Sequence, residues 1–347
     1  MEQSAPAPRR LPRGAVGRNA LGLRFALLAL ALCGACALSL AVGRGNLSDP
    51  NLRATLLELR SQRLLASLLA GAALAVAGVL VQGLFRNPLA SPSVLGTSAG
   101  ASLGGRLALI GLQFVLSTGT VPWLSPELLL PLGSVLGALA ALGLLLLVTR
   151  VRDDLVVLLL TGFLMSSLFS SLEGFVTSLA LERWELSRAL LGFALGDISG
   201  AGPRQIALAT PLVLIGSVLG WTWARPLDLM LSGEDEARSL GVELDSLRRW
   251  IVIWTAVLTA AAVALGGNVG FVGLVVPHML RPLFGSLHRR LLPAAALGGG
   301  TFVVLCDVLC RVAPGRTEIP LGVITGLIGA PTFLWLLLQH RRESYAF

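Results

Sequence analysis

Ten stretches of about 20 mostly apolar residues follow one another along the chain, separated by short polar connections. They are Leu21–Val42, Leu64–Leu84, Val94–Leu116, Leu128–Val148, Leu155–Leu179, Ile206–Ala224, Trp250–Leu265, Gly270–Leu283, Leu291–Cys310 and Pro320–Leu338. A run of that length matches the hydrocarbon thickness of a bilayer, where a helix satisfies all of its own backbone hydrogen bonds. The pattern therefore predicts an all-α polytopic membrane protein with about ten transmembrane helices. The eighth run is short and rich in Gly and Pro. Hydrophobic residues make up 54% of the 347-residue chain and charged residues 13%, about half the charge of a soluble domain.

Arginine placement predicts the orientation. With the N-terminus cytoplasmic, 17 arginines fall on the inner side and 9 on the outer, with Arg106 left in the third span. That bias follows the positive-inside rule and puts both termini in the cytoplasm, with the chain multi-pass. Residues 1–20, rich in Pro, Ala and Arg, read as a disordered cytoplasmic tail. Residues 21–340 read as one permease-sized transmembrane domain and 341–347 as a second tail. The basic flank of Leu21–Val42 also suits a signal peptide, but the spans that follow favour a first transmembrane helix. Between the fifth and sixth spans, Arg188–Asp197 reads as a short helix at the surface.

Several chemistries are excluded. All 27 basic residues are arginine, so there is no P-loop lysine for nucleotide hydrolysis and no amine for Schiff-base chemistry. The arginines form no stripe, which argues against nucleic acid. Cys33 and Cys36, and Cys306 and Cys310, all lie inside apolar runs and suit helix packing better than metal binding. No cofactor is expected to bind this chain.

Charges inside spans need a reason. Gly162, Ser166, Ser170, Glu173 and Thr177 recur at helical spacing and form one polar stripe on the fifth span, a candidate pathway lining. Interhelical hydrogen bonding is the plainer reading of the serines. Arg106 could pair with Glu173 or snorkel. Asp307 and Arg311, four apart near the end of the ninth span, suit an ion pair that is structural or functional. Pro320, Gly322, Gly326 and Gly329 give the tenth span a small-residue face for close packing, and Gly266–Gly273 reads as a turn. The longest inner loop, 225–249, is expected to form two short surface helices, with a Glu234–Arg238 pair and a helix stop at Gly241. It is large enough to dock a cytoplasmic partner.

Taken together, several motifs resemble one family. They are Arg86-Asn87-Pro88-Leu89-Ala90-Ser91-Pro92 leading into Leu95-Gly96-Thr97-Ser98; Ala237-Arg238-Ser239-Leu240-Gly241-Val242; Gly270-Phe271-Val272-Gly273 through Pro277-His278; His288-Arg289-Arg290-Leu291-Leu292-Pro293; and Ile319-Pro320-Leu321-Gly322 through Ala330-Pro331. The order and combination resemble the membrane subunit of the ABC importers that take up iron–siderophore complexes, haem and cobalamin, the type II importer permeases. The resemblance covers the chain from about residue 60 to its end.

The resemblance implies a non-enzymatic transport subunit of the cell inner membrane that works as a homodimer or paired permease. Two ATPase subunits below would bind ATP and Mg, and a periplasmic binding protein above would deliver the cargo. The expected cargo is an iron complex, a ferric siderophore or haem, with cobalamin as the alternative. The resemblance further implies an ATPase-coupling element at Gly233, Glu234, Ala237, Arg238, Ser239, Leu240, Gly241 and Val242. It implies a cytoplasmic gate at Asn87 and Leu89, and binding-protein docking through Arg60, Arg63 and Arg311. The fifth and tenth spans would line the path. The chain departs from the family pattern at Leu191–Gly200, which lacks a Trp, and at Arg152-Asp153-Asp154-Leu155, which lacks the small hydroxyl residues of a second gate. An ion-coupled secondary transporter using Glu173, Arg106 and Asp307 is the reading from a different class. A membrane hydrolase, with only His278, His288 and His340 to draw on, ranks below it.

Overall fold

A computed structural model describes residues 18–43, 45, 48–118, 126–148, 155–180, 182–312 and 318–344. Of the tail expected at 1–20, residues 18–20 belong to a helix; residues 1–17, the Arg152-Asp153-Asp154 turn and residues 345–347 lie outside the described residues. Every regular element among them is helical: α1 (Arg18–Ala41), α2 (Pro50–Leu84), a 3-10 turn (Pro92–Leu95), α3 (Thr97–Thr118), α4 (Pro126–Val148), α5 (Leu155–Leu179), α6 (Trp184–Leu195), α7 (Pro203–Thr222), α8 (Ala224–Met230), α9 (Glu234–Ser239), α10 (Leu244–Gly266), α11 (Val272–Phe284), α12 (His288–Val312) and α13 (Leu321–Ser344). Seven of these are long and apolar enough to cross a membrane, and α11 and the first part of α13 are shorter apolar helices. The bundle is all-α, as the apolar runs imply.

Two boundaries differ from the hydropathy reading. The second helix begins at Pro50, 14 residues before the apolar run. Asp49 caps it by accepting the Asn51 N–H at 3.0 Å, and Pro50 supplies a preset helical φ at N1. Hydropathy registers only the segment that suits lipid, whereas the helix continues past it with Arg53, Glu58, Arg60 and Arg63. The third run is split. Val94 belongs to the 3-10 turn, which ends at Gly96 in the left-handed region (φ 75°), and only then does α3 begin.

Three helices form the centre. In α2, α10 and α12, 78, 72 and 67% of the most apolar window is buried, against 6% in α1 and 22% in α5. Close approach makes this possible: a Cβ on Gly71 of α2 would lie 2.2 Å from the Gly299 carbonyl oxygen of α12. Leu80, Leu84, Leu247, Ile251, Leu258 and Leu291 fill the space around that seam without measurable exposure. The small-residue face expected on α13 packs unevenly. Gly322 abuts the Leu195 carbonyl and Gly329 the Phe271 ring, while Gly326 faces open space.

At 13 residues, α11 spans about 20 Å and falls short of a bilayer's roughly 30 Å core. The connection before it packs against the end of α6. Gly267 lies against the Phe193 carbonyl, which accepts the Asn268 N–H at 3.1 Å, and Phe271 adopts a left-handed φ of 66° at the start of α11. The Gly266–Gly273 turn links α10 to a half-length helix, with Gly267 and Val269 buried and Asn268 and Phe271 exposed.

Candidate functional site

The polar stripe of α5 meets its partners across a cavity. A space of about 250 Å³ is bounded by Ser166, Ser170 and Glu173 of α5, Ser98 and Ser102 of α3, Ser93 of the 3-10 turn and Asn268. Ser166 Oγ donates to the Gly162 carbonyl at 2.9 Å and reaches the Ser93 carbonyl at 3.1 Å, which holds the turn against α5. Gly162 permits the contact, since a Cβ there would lie 2.1 Å from the Val94 carbonyl. The partner of Glu173 is Arg106: its Nη2 lies 3.0 Å from Glu173 Oε2, and its Nη1 donates to Thr177 Oγ1 at 2.8 Å and to the Glu173 carbonyl at 3.2 Å. Both residues are buried. Thr177 therefore lies behind the ion pair, outside the cavity lining. The result is an open, partly polar space, lined also by Val94, Ala99 and Phe163, with a charge pair at its edge.

The 225–249 loop forms α8 and α9, as its pattern implies. Ala237 is fully buried and anchors α9, while Arg238, Ser239, Leu240 and Gly241 are exposed; Leu240 is 62% exposed. Gly241 closes the helix in the left-handed region (φ 87°). Its N–H donates to the Arg238 carbonyl at 2.9 Å and that of Val242 to the Ala237 carbonyl at 3.0 Å, the Schellman pattern. Gly233 enters α9 at φ 132°. The expected Glu234–Arg238 pair does not form. Glu234 instead bonds Arg248 Nη2 of α10 at 2.8 Å, because a link to a rooted helix fixes α9 where an in-helix pair would not. Arg238 is left outward-facing.

A second link to this loop was not visible in the sequence motifs. Asp228 Oδ1 of α8 accepts the His288 backbone N–H at 2.6 Å and contacts His288 Nδ1 at 2.8 Å, capping the start of α12. The 60 residues between the two hide it from any local pattern. Near the same end of the bundle, Asn87 Oδ1 accepts the Leu89 N–H at 2.9 Å. This turn follows Arg86 at φ 47° and leaves Leu89 exposed.

At the opposite end, where α1 meets α2, the arginines are engaged within the chain. Arg60 is buried, and its guanidinium donates to the carbonyls of Leu40 (2.8 Å), Ala41 (3.0 Å), Gly43 (3.2 Å) and Gly45 (3.4 Å), closing the C-terminus of α1. Arg311 donates to the Ser39 and Val42 carbonyls at 2.9 and 2.8 Å and to Ser39 Oγ at 2.7 Å, and pairs with Asp307 at 2.8 Å. Arg63 joins Asp307 and Glu318, each at 2.6 Å. All three arginines expected to dock a binding protein thus have partners within the chain. Arg60 and Arg311 lie below the surface because the unpaired carbonyls ending α1 need donors, and Arg63 is mostly covered. The Asp307–Arg311 pair forms as its spacing suggests, with Arg63 as a third member.

Prolines explain two further contacts. Proline cannot donate to the carbonyl four residues back. Pro277 thus frees the Gly273 carbonyl, which accepts Gln82 Nε2 at 3.2 Å; Pro293 frees the Arg289 carbonyl, which accepts Trp221 Nε1 at 3.2 Å. Gln82 Oε1 also accepts Arg281 at 2.8 Å. The prolines were a sequence signal for these acceptors, but the donors come from distant helices.

Comparison with known proteins agrees with this architecture. The FecCD transport family model matches residues 22–339. The Fe(3+) dicitrate transport system permease protein FecD of Escherichia coli is 40% identical over 287 residues, covering 82% of this chain and 86% of the relative. The vitamin B12 import system permease protein BtuC of Escherichia coli (strain HS) is 38% identical over 323 residues, covering 91% and 93%. A solved, inward-facing ABC transporter assigned to the metal-chelate type superposes with a TM-score of 0.80 at 30% identity, covering 92% of this chain and 99% of that one. A family model that spans nearly the whole helical bundle, with relatives of matching length, makes this chain a multi-pass membrane permease of the FecCD transport family.

Proposed function

We propose that the chain is the permease of an ATP-driven importer that carries an iron complex, a ferric siderophore or haem, across the inner membrane. Both termini and the α8–α9 loop face the cytoplasm in this reading. Two copies of the single 21–340 transmembrane domain pair, two ATPase subunits bind ATP and Mg below, and a periplasmic binding protein delivers cargo above. Cobalamin is the alternative cargo, since one relative is named for it. The observation that carries the reading is the α8–α9 unit. It presents exposed Arg238 and Leu240 to a partner while Glu234–Arg248 and Asp228–His288 bind it to α10 and α12. Such an element passes a push from outside into two central helices.

The remaining roles follow. Gly233, Glu234, Ala237, Arg238, Ser239, Leu240, Gly241 and Val242 form the coupling element. Asn87 shapes the turn that puts Leu89 at a cytoplasmic gate. Ser166, Ser170 and Glu173 border the path, with Thr177 holding Arg106 behind it. Binding-protein carboxylates would dock by competing with Glu318 for Arg63, over the scaffold formed by Arg60 and Arg311. The permease itself makes and breaks no bonds. Cargo contact along the path should be weak, since tight binding would prevent release.

The test is uptake into proteoliposomes containing this chain with its ATPase and binding protein. Ferric siderophore or haem uptake that needs both ATP and the binding protein is expected. Uptake of cobalamin alone would reassign the cargo, and uptake driven by a proton gradient without the ATPase would overturn the importer.

A further inference from the structure

A groove between α7 and α12 lies apart from the residues given a role in transport above. Its volume is about 470 Å³, and Val76, Val218, Leu292, Pro293 and Ala296 give it an almost wholly apolar lining. One end is different. There Trp221, 44% exposed, is fixed by its indole bond to the carbonyl that Pro293 frees, and the Arg289 guanidinium sits 5.8 Å above its ring. Arg289 is exposed, and among the described residues it has no ion-pair partner; Asp228, the nearby acid, is held by His288. Arg290 follows it and Arg225 opens α8 at the same end of the bundle.

We propose that this groove binds an anionic phospholipid, with its phosphate at Arg289 and an acyl chain along Val218, Leu292 and Ala296. The apolar floor suits a hydrocarbon chain and offers nothing to a polar metal complex. Tryptophan is favoured at the membrane–water boundary, which places the groove's charged end at headgroup depth. An uncompensated arginine at that depth complements a phosphate, and a net negative headgroup meets the further arginines beside it. That the leaflet is cytoplasmic rests on the orientation proposed above; the binding does not.

The probe is the permease with its ATPase in nanodiscs of equimolar phosphatidylethanolamine and phosphatidylglycerol, with retained lipid read by native mass spectrometry after detergent transfer. Phosphatidylglycerol should be retained over phosphatidylethanolamine by about fivefold per arginine engaged. Arg289→Gln should bring the ratio towards parity and Arg289→Lys should keep most of it. Ser217→Trp, which fills the groove and leaves the charge, should reduce retention of both lipids. Equal retention of the two lipids by the unaltered protein would overturn the proposal. So would an unchanged ratio in Arg289→Gln, or unchanged retention in Ser217→Trp. Because the readout is bound lipid, failure here leaves the importer reading intact, and failure of the uptake assay leaves this one intact.

Discussion

Two arginine–carboxylate groups lie inside this bundle and differ in what surrounds them. Around Asp307, which has no exposure, Arg63 and Arg311 converge, while Arg311 and Arg60 also take up the carbonyls that end α1. No space is left beside the carboxylate. Glu173 has one arginine, Arg106, and a cavity lined with hydroxyls next to it. The first group is a clasp that joins α1, α2, α12 and the segment before α13. The second is a charge pair that can be approached. Identical chemistry thus sits in two different surroundings, and neither burial nor pairing alone separates the two.

Isosteric neutralisation tests that difference most strongly. Asp307→Asn leaves buried Arg311 without a counter-charge and Arg63 with Glu318 alone, and breaking a buried pair costs about 3–5 kcal/mol. A large fall in the thermal midpoint of the purified permease is expected; an unchanged midpoint would remove the clasp. Next in size is Gly71→Ala at the α2–α12 seam. Its new methyl meets a backbone oxygen at 2.2 Å that cannot turn away. Overpacking of this kind costs about 1–3 kcal/mol, and the same thermal measurement checks it. Gly241→Ala places a side chain at φ 87° and should cost about 1–2 kcal/mol, confined to the end of α9. Its signature should be ATP hydrolysis that persists while uptake falls, and coupled transport at the normal rate would count against α9 as the coupling element. The smallest stability effect is expected from Glu173→Gln. Gln keeps a hydrogen bond to Arg106 and the cavity admits water to it, so a loss of about 1 kcal/mol is expected, together with a clear change in uptake rate or cargo preference.

Much of the fold was legible because apolar run length is a direct consequence of lipid as solvent. Every expected span has a helix over it, including the short surface helix α6 and the two in the 225–249 loop. Misplaced boundaries occurred where helix continuation depends on capping, as at Asp49-Pro50, or where one residue such as Gly96 breaks an apolar run. The α5 stripe was legible as a pattern. Arg106 was one possible partner for it, but the choice between pairing and snorkelling was not legible, because 67 residues and the α3–α5 packing decide it. The internal partners of the arginines near α1 were hidden for a related reason. Their excess at one end of the bundle marked them as unusual, but four open carbonyls at a helix end leave no mark on the sequence. Asp228–His288 was hidden in the same way, with each half lying in a recognisable segment and only the fold joining them.

The contrast between clasp and cavity reduces to one paired measurement. Glu173→Gln and Asp307→Asn are placed separately in the reconstituted permease with its ATPase and binding protein, and thermal midpoint and ATP-driven uptake per folded complex are recorded on the same preparations. The expected result is a crossed pattern. Asp307→Asn lowers the midpoint and leaves uptake per folded complex near normal, while Glu173→Gln alters uptake and barely moves the midpoint. Parallel losses in both quantities for both variants would contradict it and make Glu173–Arg106 a second clasp.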